Sequence, residues 1–128
     1  MNKEVICTSK APKALGPYSQ GIAVKNHETF YFSGQIALDP ATGQLINGDV
    51  KKQTAQIFDN LNAILSSQGM TTENIVKTTV YLTDINDFAI VNEEYAHHFS
   101  CDPPARSCVQ VAALPAGAAV EIEVIAYK

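Results

Sequence analysis

Apolar residues recur at helical spacing in two stretches of the chain. Between residues 49 and 68 the apolar positions are Ile57, Phe58, Leu61, Ile64 and Leu65. This spacing predicts an amphipathic helix, with Asp49 as its N-cap and Gly69 ending it. A second helix is predicted over residues 86–99, and its apolar stripe consists of Phe88, Val91, Tyr95 and Phe99. We expect Phe88 to belong to the core.

Shorter β-branched stretches, separated by Pro, Gly and Asn, predict about six strands. They lie near residues 4–8, 18–24, 29–33, 75–83, 105–111 and 120–126. Each predicted helix has one apolar stripe, so the helices cover one sheet face only. The pattern therefore indicates an α+β domain with both helices on one face. The other face needs a cover, and a second copy of the chain is the cheapest one, so we expect a homo-oligomer.

The last two predicted strands bring together side chains that could bind a ligand or act in catalysis. The loop at residues 113–118 contains Pro and Gly, which favours a hairpin. Matching the apolar faces pairs Val109 with Ile122. The opposite faces then share Arg106, Cys108, Glu121 and Glu123, and we expect these four on the uncovered side of the sheet. A guanidinium there can bind a small carboxylate through two hydrogen bonds, or it can form a surface ion pair with a glutamate.

Composition narrows the functional classes. The chain has 128 residues, 46% of them hydrophobic, which indicates a single domain over residues 1–128. A net charge of −4, with no basic run longer than Lys51-Lys52, argues against nucleic-acid or membrane partners. The sequence has no long apolar segment, and three unpaired-looking cysteines suit a reducing cytoplasm. The adjacent His97 and His98 are expected on a solvated helix face, so no metal or organic cofactor is signalled.

Several motifs, in order along residues 9–127, resemble the Rid family, the reactive intermediate deaminases also called YjgF proteins. They are Gly16-Pro17-Tyr18-Ser19-Gln20, Phe32-Ser33-Gly34-Gln35-Ile36, Asp39-Pro40-Ala41-Thr42-Gly43, Val76-Lys77-Thr78-Thr79-Val80-Tyr81-Leu82, Asp87-Phe88 with Val91-Asn92-Glu93-Glu94-Tyr95, Pro104-Ala105-Arg106-Ser107-Cys108-Val109, Leu114-Pro115 and Glu121-Ile122-Glu123. The resemblance implies a chorismate-mutase-like homotrimer with clefts between subunits. It also implies hydrolysis of 2-iminobutanoate and 2-iminopropanoate to 2-oxo acids and ammonia. Such imines come from pyridoxal-phosphate-dependent threonine and serine dehydratases, and their removal protects pyridoxal-phosphate enzymes.

The resemblance also implies roles for single residues. Arg106 would bind the substrate carboxylate, and Glu121 would position and activate water. Glu123 is expected to be structural. Cys108 would contribute either its backbone polar groups or its thiol, although a covalent mechanism is not required. Two readings of Cys108 stay open, a catalytic one and a small buried hydrophobe.

Further residues are assigned to the other wall of the cleft by the same resemblance. Tyr18, Ser33 and Gly34 would face Arg106 from a different subunit, with Gly34 allowing close backbone approach. Asn92 would either line the cleft or only tie the second helix to a strand.

Three functions follow as hypotheses: an imine deaminase, a non-catalytic trimer that senses small carboxylates, and an endoribonuclease or translation inhibitor. Glu121 favours catalysis, because a binder of anions gains nothing from a second carboxylate beside the ligand. The nuclease is the weakest, because no basic or stacking surface is evident.

Overall fold

The structure is a computed structural model that describes residues 2–128. Eight regular elements make up the fold: β1 Lys3–Ile6, β2 Gly21–Val24, β3 Thr29–Tyr31, α1 Val50–Ser66, β4 Ile75–Leu82, α2 Phe88–Ala96, β5 Ala105–Gln110 and β6 Val120–Tyr127. Four strands form one sheet in the order β3-β6-β4-β5, and β1 pairs with β2 in a separate two-stranded sheet. The predicted α+β class is confirmed.

Local signals set the limits of α1. The Asp49 side chain caps the helix by accepting a hydrogen bond from the Lys52 backbone N–H at 2.9 Å. Beyond the helix, Gly69 has a φ of +69°, a left-handed conformation that glycine adopts without steric cost. The N-cap and the stop predicted from the sequence are both confirmed.

The core lies between the two helices and one face of the four-stranded sheet. Thr78, Val80 and Leu82 of the central strand β4 point into it at every second position. The buried apolar residues that form one contiguous core cluster are Ala37, Val50, Ile57, Phe58, Leu61, Leu65, Met70, Ile75, Val80, Leu82, Val91, Tyr95, Val120, Ile122, Val124 and Ala126. Both helices therefore cover the same sheet face, as the single apolar stripe on each helix predicts.

The predicted hairpin between the last two strands is wrong. Strand β4 lies between them, antiparallel to β6 and parallel to β5, so Val80 pairs with both Cys108 and Ile122. The connection passes the end of β4, where the Val111 N–H donates to the Leu82 carbonyl oxygen at 2.8 Å. A short loop with Pro and Gly is compatible with this crossing as well as with a hairpin. Burial of β4 on both of its edges decides between them.

This insertion also overturns the predicted shared polar face. Arg106 and Cys108 lie in register with Thr78 and Val80, on the face that the helices cover. Glu121 and Glu123 alternate with the buried Ile122 and face the opposite, open side. Arg106 and Glu121 are therefore on opposite faces of one sheet.

Two smaller expectations also fail. The Phe88 side chain is 38% exposed, so it is not a core residue. His98 does not lie on a solvated face, because its ring stacks on Phe58 with centroids 4.0 Å apart. His97 is exposed, and both histidines contact Glu94, at 3.5 and 3.3 Å.

Among the described residues, 2–128, Cys7, Cys101 and Cys108 are free thiols. None of the helices in residues 2–128 has the length and apolar character needed to cross a bilayer. No three metal-ligating side chains among these residues lie close enough together to hold a metal ion.

Candidate functional site

Arg106 is surrounded by aromatic rings. Its guanidinium carbon lies 4.8 Å from the centroid of the Tyr95 ring, 5.5 Å from Tyr18 and 5.6 Å from Phe88. Each ring presents the negative face of its quadrupole to a cation at such distances. The rings come from α2 and from the loop before β2, so two segments outside β5 surround the guanidinium.

A neutral side chain holds the head of Arg106. One guanidinium nitrogen, Nη1, donates to the Asn92 side-chain oxygen at 2.5 Å. Within residues 2–128 no carboxylate forms an ion pair with Arg106, and the ion pairs present both involve Glu94. The ion pair with Glu121 or Glu123 that the sequence left open is therefore not formed within one chain. The charge of Arg106 stays available for an anionic ligand.

Tyr95 connects this site to the core. Its hydroxyl shares a 2.7 Å hydrogen bond with the Thr78 hydroxyl, and both side chains are buried. Burial raises the pKa of Tyr95 to about 12, while the hydrogen bond with Thr78 and the charge of Arg106 act in the other direction. Tyr95 is therefore a neutral phenol at physiological pH.

Tyr18 lies on the Arg106 side of the site. The segment Gly16–Gln20 packs against the start of β5, with Ser19 forming a parallel bridge to Ala105. A Cβ added at Gly16 would be 3.5 Å from the Asn92 side-chain nitrogen. The expectation that Tyr18 joins Gly34 across from Arg106 is wrong within one chain, since its ring covers the guanidinium of the same chain.

Glu121 and Gly34 form a second cluster on the open side of the sheet. A Cβ built on Gly34 would lie only 2.8 Å from a Glu121 carboxylate oxygen, so the glycine gives the carboxylate its room. Gln35 pairs with Ile122, which holds this turn of chain beside β6. Ser33 is exposed next to Gly34. The predicted grouping of Ser33 and Gly34 opposite Arg106 is compatible with this arrangement.

Glu123 has a partner that separates it from Glu121. The Tyr81 hydroxyl donates to a Glu123 carboxylate oxygen at 2.9 Å. This hydrogen bond is the main reason that the pKa of Tyr81 is raised, and burial and the charges of Glu123 and Glu121 add to it. Glu123 is engaged in this hydrogen bond, as expected of a structural residue. Glu121 is the carboxylate that remains available on the open side of the sheet.

Cys108 lies two residues beyond Arg106 on β5 and packs against the core. Burial raises the pKa of its thiol, and the positive charge of Arg106 offsets part of this effect. A reactive cysteine needs a lowered pKa, so this thiol resembles a small apolar residue more than a nucleophile.

Sequence reasoning did not find Tyr95, Phe88 or Ser19 as neighbours of Arg106. Tyr95 and Phe88 fall on the apolar stripe of α2, and a stripe does not show which ring ends beside a cation. Ser19 lies in a recognised motif, but its role depends on a contact with residues 103–105.

Comparison with known proteins identifies the family. Residues 8–128 match the family model described as Endoribonuclease L-PSP. The chain belongs to this family. It is the family, also called YjgF or Rid, that the motifs resemble.

Relatives match over nearly the whole chain. A RutC family protein of Pyrococcus abyssi is 49% identical, covering 100% of this chain and 99% of the relative. A human protein named 2-iminobutanoate/2-iminopropanoate deaminase is 50% identical, covering 98% of this chain and 90% of its own length.

Solved structures agree with the fold. RidA from an Antarctic Psychrobacter matches with a TM-score of 0.75 and 47% identity, covering 98% of this chain and 99% of that one. A Rid family protein of unknown function from Yersinia pestis has a TM-score of 0.74 and 50% identity, covering 97% and 98% of the two chains.

Proposed function

We propose that this chain hydrolyses small 2-imino acids, such as 2-iminobutanoate and 2-iminopropanoate, to 2-oxo acids and ammonia. The main observation behind this proposal is the state of the Arg106 guanidinium. Within residues 2–128 it forms no ion pair, and it is held by a hydrogen bond to the neutral Asn92 among three aromatic rings. Such a guanidinium suits bidentate binding of a planar carboxylate. Relatives about 50% identical over nearly the full chain bear the name of this activity, which supports the proposal independently.

The chemistry needs one anchor and one base. Arg106 binds the carboxylate of the substrate and so orients the C=N carbon. Glu121 accepts a proton from water as the water oxygen bonds to that carbon and the C=N π electrons move to nitrogen, and it then donates this proton to the nitrogen, which becomes an amino group. Glu121 next accepts the proton of the new hydroxyl group and passes it to the amino group, so the C–N bond breaks and ammonia leaves as C=O forms. Cys108 contributes no covalent bond in this scheme, because burial raises the pKa of its thiol.

The two groups would meet between copies of the chain. Arg106 and Glu121 lie on opposite faces of one sheet, so a single copy does not bring them together. The open face carries Tyr31, which is 78% exposed, and Val109, which is 45% exposed, as expected of a surface that another copy covers. We propose a homotrimer in which Tyr18, Asn92 and Arg106 of one copy face Ser33, Gly34 and Glu121 of the next.

The proposed setting is amino-acid metabolism. Dehydratases that use pyridoxal phosphate release these imines, and faster hydrolysis would limit the damage that the imines do to pyridoxal-phosphate enzymes. No cofactor enters the proposed reaction, and the proposed location is the cytoplasm.

The test is a coupled assay. Added to a threonine dehydratase reaction, the protein should speed the appearance of 2-oxobutanoate and lower capture of the imine by semicarbazide. Arg106→Ala should abolish both turnover and binding of 2-oxobutanoate. Glu121→Gln should retain binding and lose most turnover, whereas the matched control Glu123→Gln should retain more of it.

Two alternatives predict different outcomes, one in these measurements and one on incubation with RNA. Binding of 2-oxobutanoate without any acceleration at stoichiometric protein would make the chain a carboxylate sensor. Cleavage of RNA would support the nuclease that the family description names, although the net charge of −4 opposes phosphate-backbone binding.

A further inference from the structure

Ser19 connects the loop before β2 to the two prolines that precede Arg106. Its hydroxyl donates to the Pro103 carbonyl oxygen at 2.5 Å, and its backbone N–H donates to the Pro104 carbonyl oxygen at 3.2 Å. The Ser19 residue is buried, with 7% exposure. It therefore supplies both donors for two consecutive carbonyl groups.

The two prolines limit how this stretch of chain can be held in place. Pro103 and Pro104 have no N–H group, so neither residue can donate a backbone hydrogen bond to a neighbouring strand. Pro104 is buried, and a buried carbonyl oxygen without a donor is unfavourable. Ser19 satisfies these acceptors at the point where the chain turns into β5 and carries Arg106 toward α2.

Tyr18 lies directly beside this contact. Tyr18 is next to Ser19 in sequence, and its ring covers the guanidinium of Arg106 at 5.5 Å. The loop before it is held separately by Gln20, whose side chain bonds to the Thr8 N–H at 2.7 Å and to the Pro12 carbonyl oxygen at 2.7 Å. Two side chains thus hold a loop of mostly exposed residues in place.

We propose that Ser19 is a positioning residue for substrate binding, which acts by holding the Tyr18 ring over Arg106. This inference rests on the proposed function for its kinetic consequence, but not for its structural one. Without the Ser19 hydroxyl, Tyr18 samples positions away from the guanidinium, and each binding event must order it again. A lid that contacts substrate and transition state alike affects KM more than kcat.

A fluorescence experiment tests the structural part. The chain contains no tryptophan, so Tyr18→Trp introduces a single reporter at the site. Adding Ser19→Ala to this reporter should raise the acrylamide quenching constant about twofold or more, and Ser9→Ala, an exposed serine of the same loop, should leave it unchanged. Equal quenching with and without Ser19→Ala overturns the proposal, whether or not the protein turns over imines.

A double-mutant cycle tests the kinetic part. Ser19→Ala should raise KM for the imine, and Kd for 2-oxobutanoate, about three- to tenfold, with kcat within twofold. In a Tyr18→Ala background, Ser19→Ala should add almost nothing, because both changes remove the same contact. Equal effects of Ser19→Ala in the two backgrounds overturn the proposal. Where Ser19→Ala fails to fold, Ser19→Cys, whose thiol is a weaker hydrogen-bond donor of similar shape, replaces it in both tests.

Discussion

Arg106 and Glu121 lie on opposite faces of the same sheet, on the two strands that flank β4. Arg106 points to α2, where Asn92 and the rings of Phe88 and Tyr95 contact it, and the Tyr18 ring lies over it from the loop before β2. Glu121 points to the open side, against Gly34. A site that uses both residues must therefore combine two copies of the chain, as in the proposed homotrimer.

Mixed oligomers test this arrangement directly. Arg106→Ala and Glu121→Gln should each be nearly inactive alone, whereas refolding them together should restore part of the activity. In a mixed trimer some clefts receive an intact Arg106 from one copy and an intact Glu121 from another. Sedimentation should give about three times 13.8 kDa. Full activity of a monomer, or no recovery on mixing, would contradict the shared site.

Asn92→Asp tests whether the free charge of Arg106 binds the ligand. The substitution keeps the shape of the side chain and places a carboxylate on the guanidinium, at the position of the present 2.5 Å hydrogen bond. The Kd for 2-oxobutanoate should rise about tenfold or more, roughly 1.4 kcal/mol. Asn92→Ala, which adds no charge, should weaken binding less. Calorimetry that gives the same Kd for Asn92→Asp and wild type would show that the ligand does not depend on this charge.

Gly34→Ala tests the position of Glu121. The added methyl group would meet the carboxylate at 2.8 Å, so the carboxylate must move. We expect kcat to fall about tenfold or more, in line with general acid–base contributions, while binding of 2-oxobutanoate changes little. Gly21→Ala, where the nearest atom is 3.4 Å away, is the matched control. Normal turnover by Gly34→Ala would show that the position of Glu121 is not critical.

Cys108→Ser separates the two roles left open for the thiol. Because burial raises its pKa, the thiol is protonated at neutral pH, and we expect turnover within about threefold of wild type. Loss of a covalent nucleophile lowers kcat by roughly a thousandfold or more. A loss of that size in steady-state assays would assign Cys108 a covalent role.

The raised pKa of Tyr95 predicts that part of the free energy of unfolding is lost at alkaline pH. Its pKa is raised to about 12 in the folded chain, against 10.0 for an ordinary tyrosine, so the unfolded chain releases this proton first. Stability from this group is complete below pH 10 and is lost as the pH rises to about 12. The difference corresponds to roughly 2–3 kcal/mol.

Tyr95→Phe should therefore flatten the pH dependence of unfolding. Urea denaturation between pH 9 and 12, at constant protein concentration, should show a smaller decline for the variant than for wild type. The Thr78 hydrogen bond is lost at every pH and shifts the whole curve, so the slope is the decisive quantity. Equal slopes would mean that Tyr95 is not protected from ionisation.

Structural features that depend only on neighbouring residues could be predicted from the sequence. The stripe of α1, the Asp49 cap, the Gly69 stop and the turn at residues 39–43 all depend on neighbours within a few residues. The motifs also identified the family. For the same reason the existence of β5 and β6, and the alternation of buried and exposed residues along β6, were correctly predicted.

Only the tertiary structure decided which strands are neighbours. Two apolar strands joined by a short loop pair equally well as a hairpin or on either side of a third strand, and sequence alternation is the same in both cases. Burial of β4 between them turned Arg106 toward the helices and left Glu121 on the open face. The sequence by itself indicated Arg106 and Glu121 as candidate site residues, and long-range packing determined that no single copy brings them together.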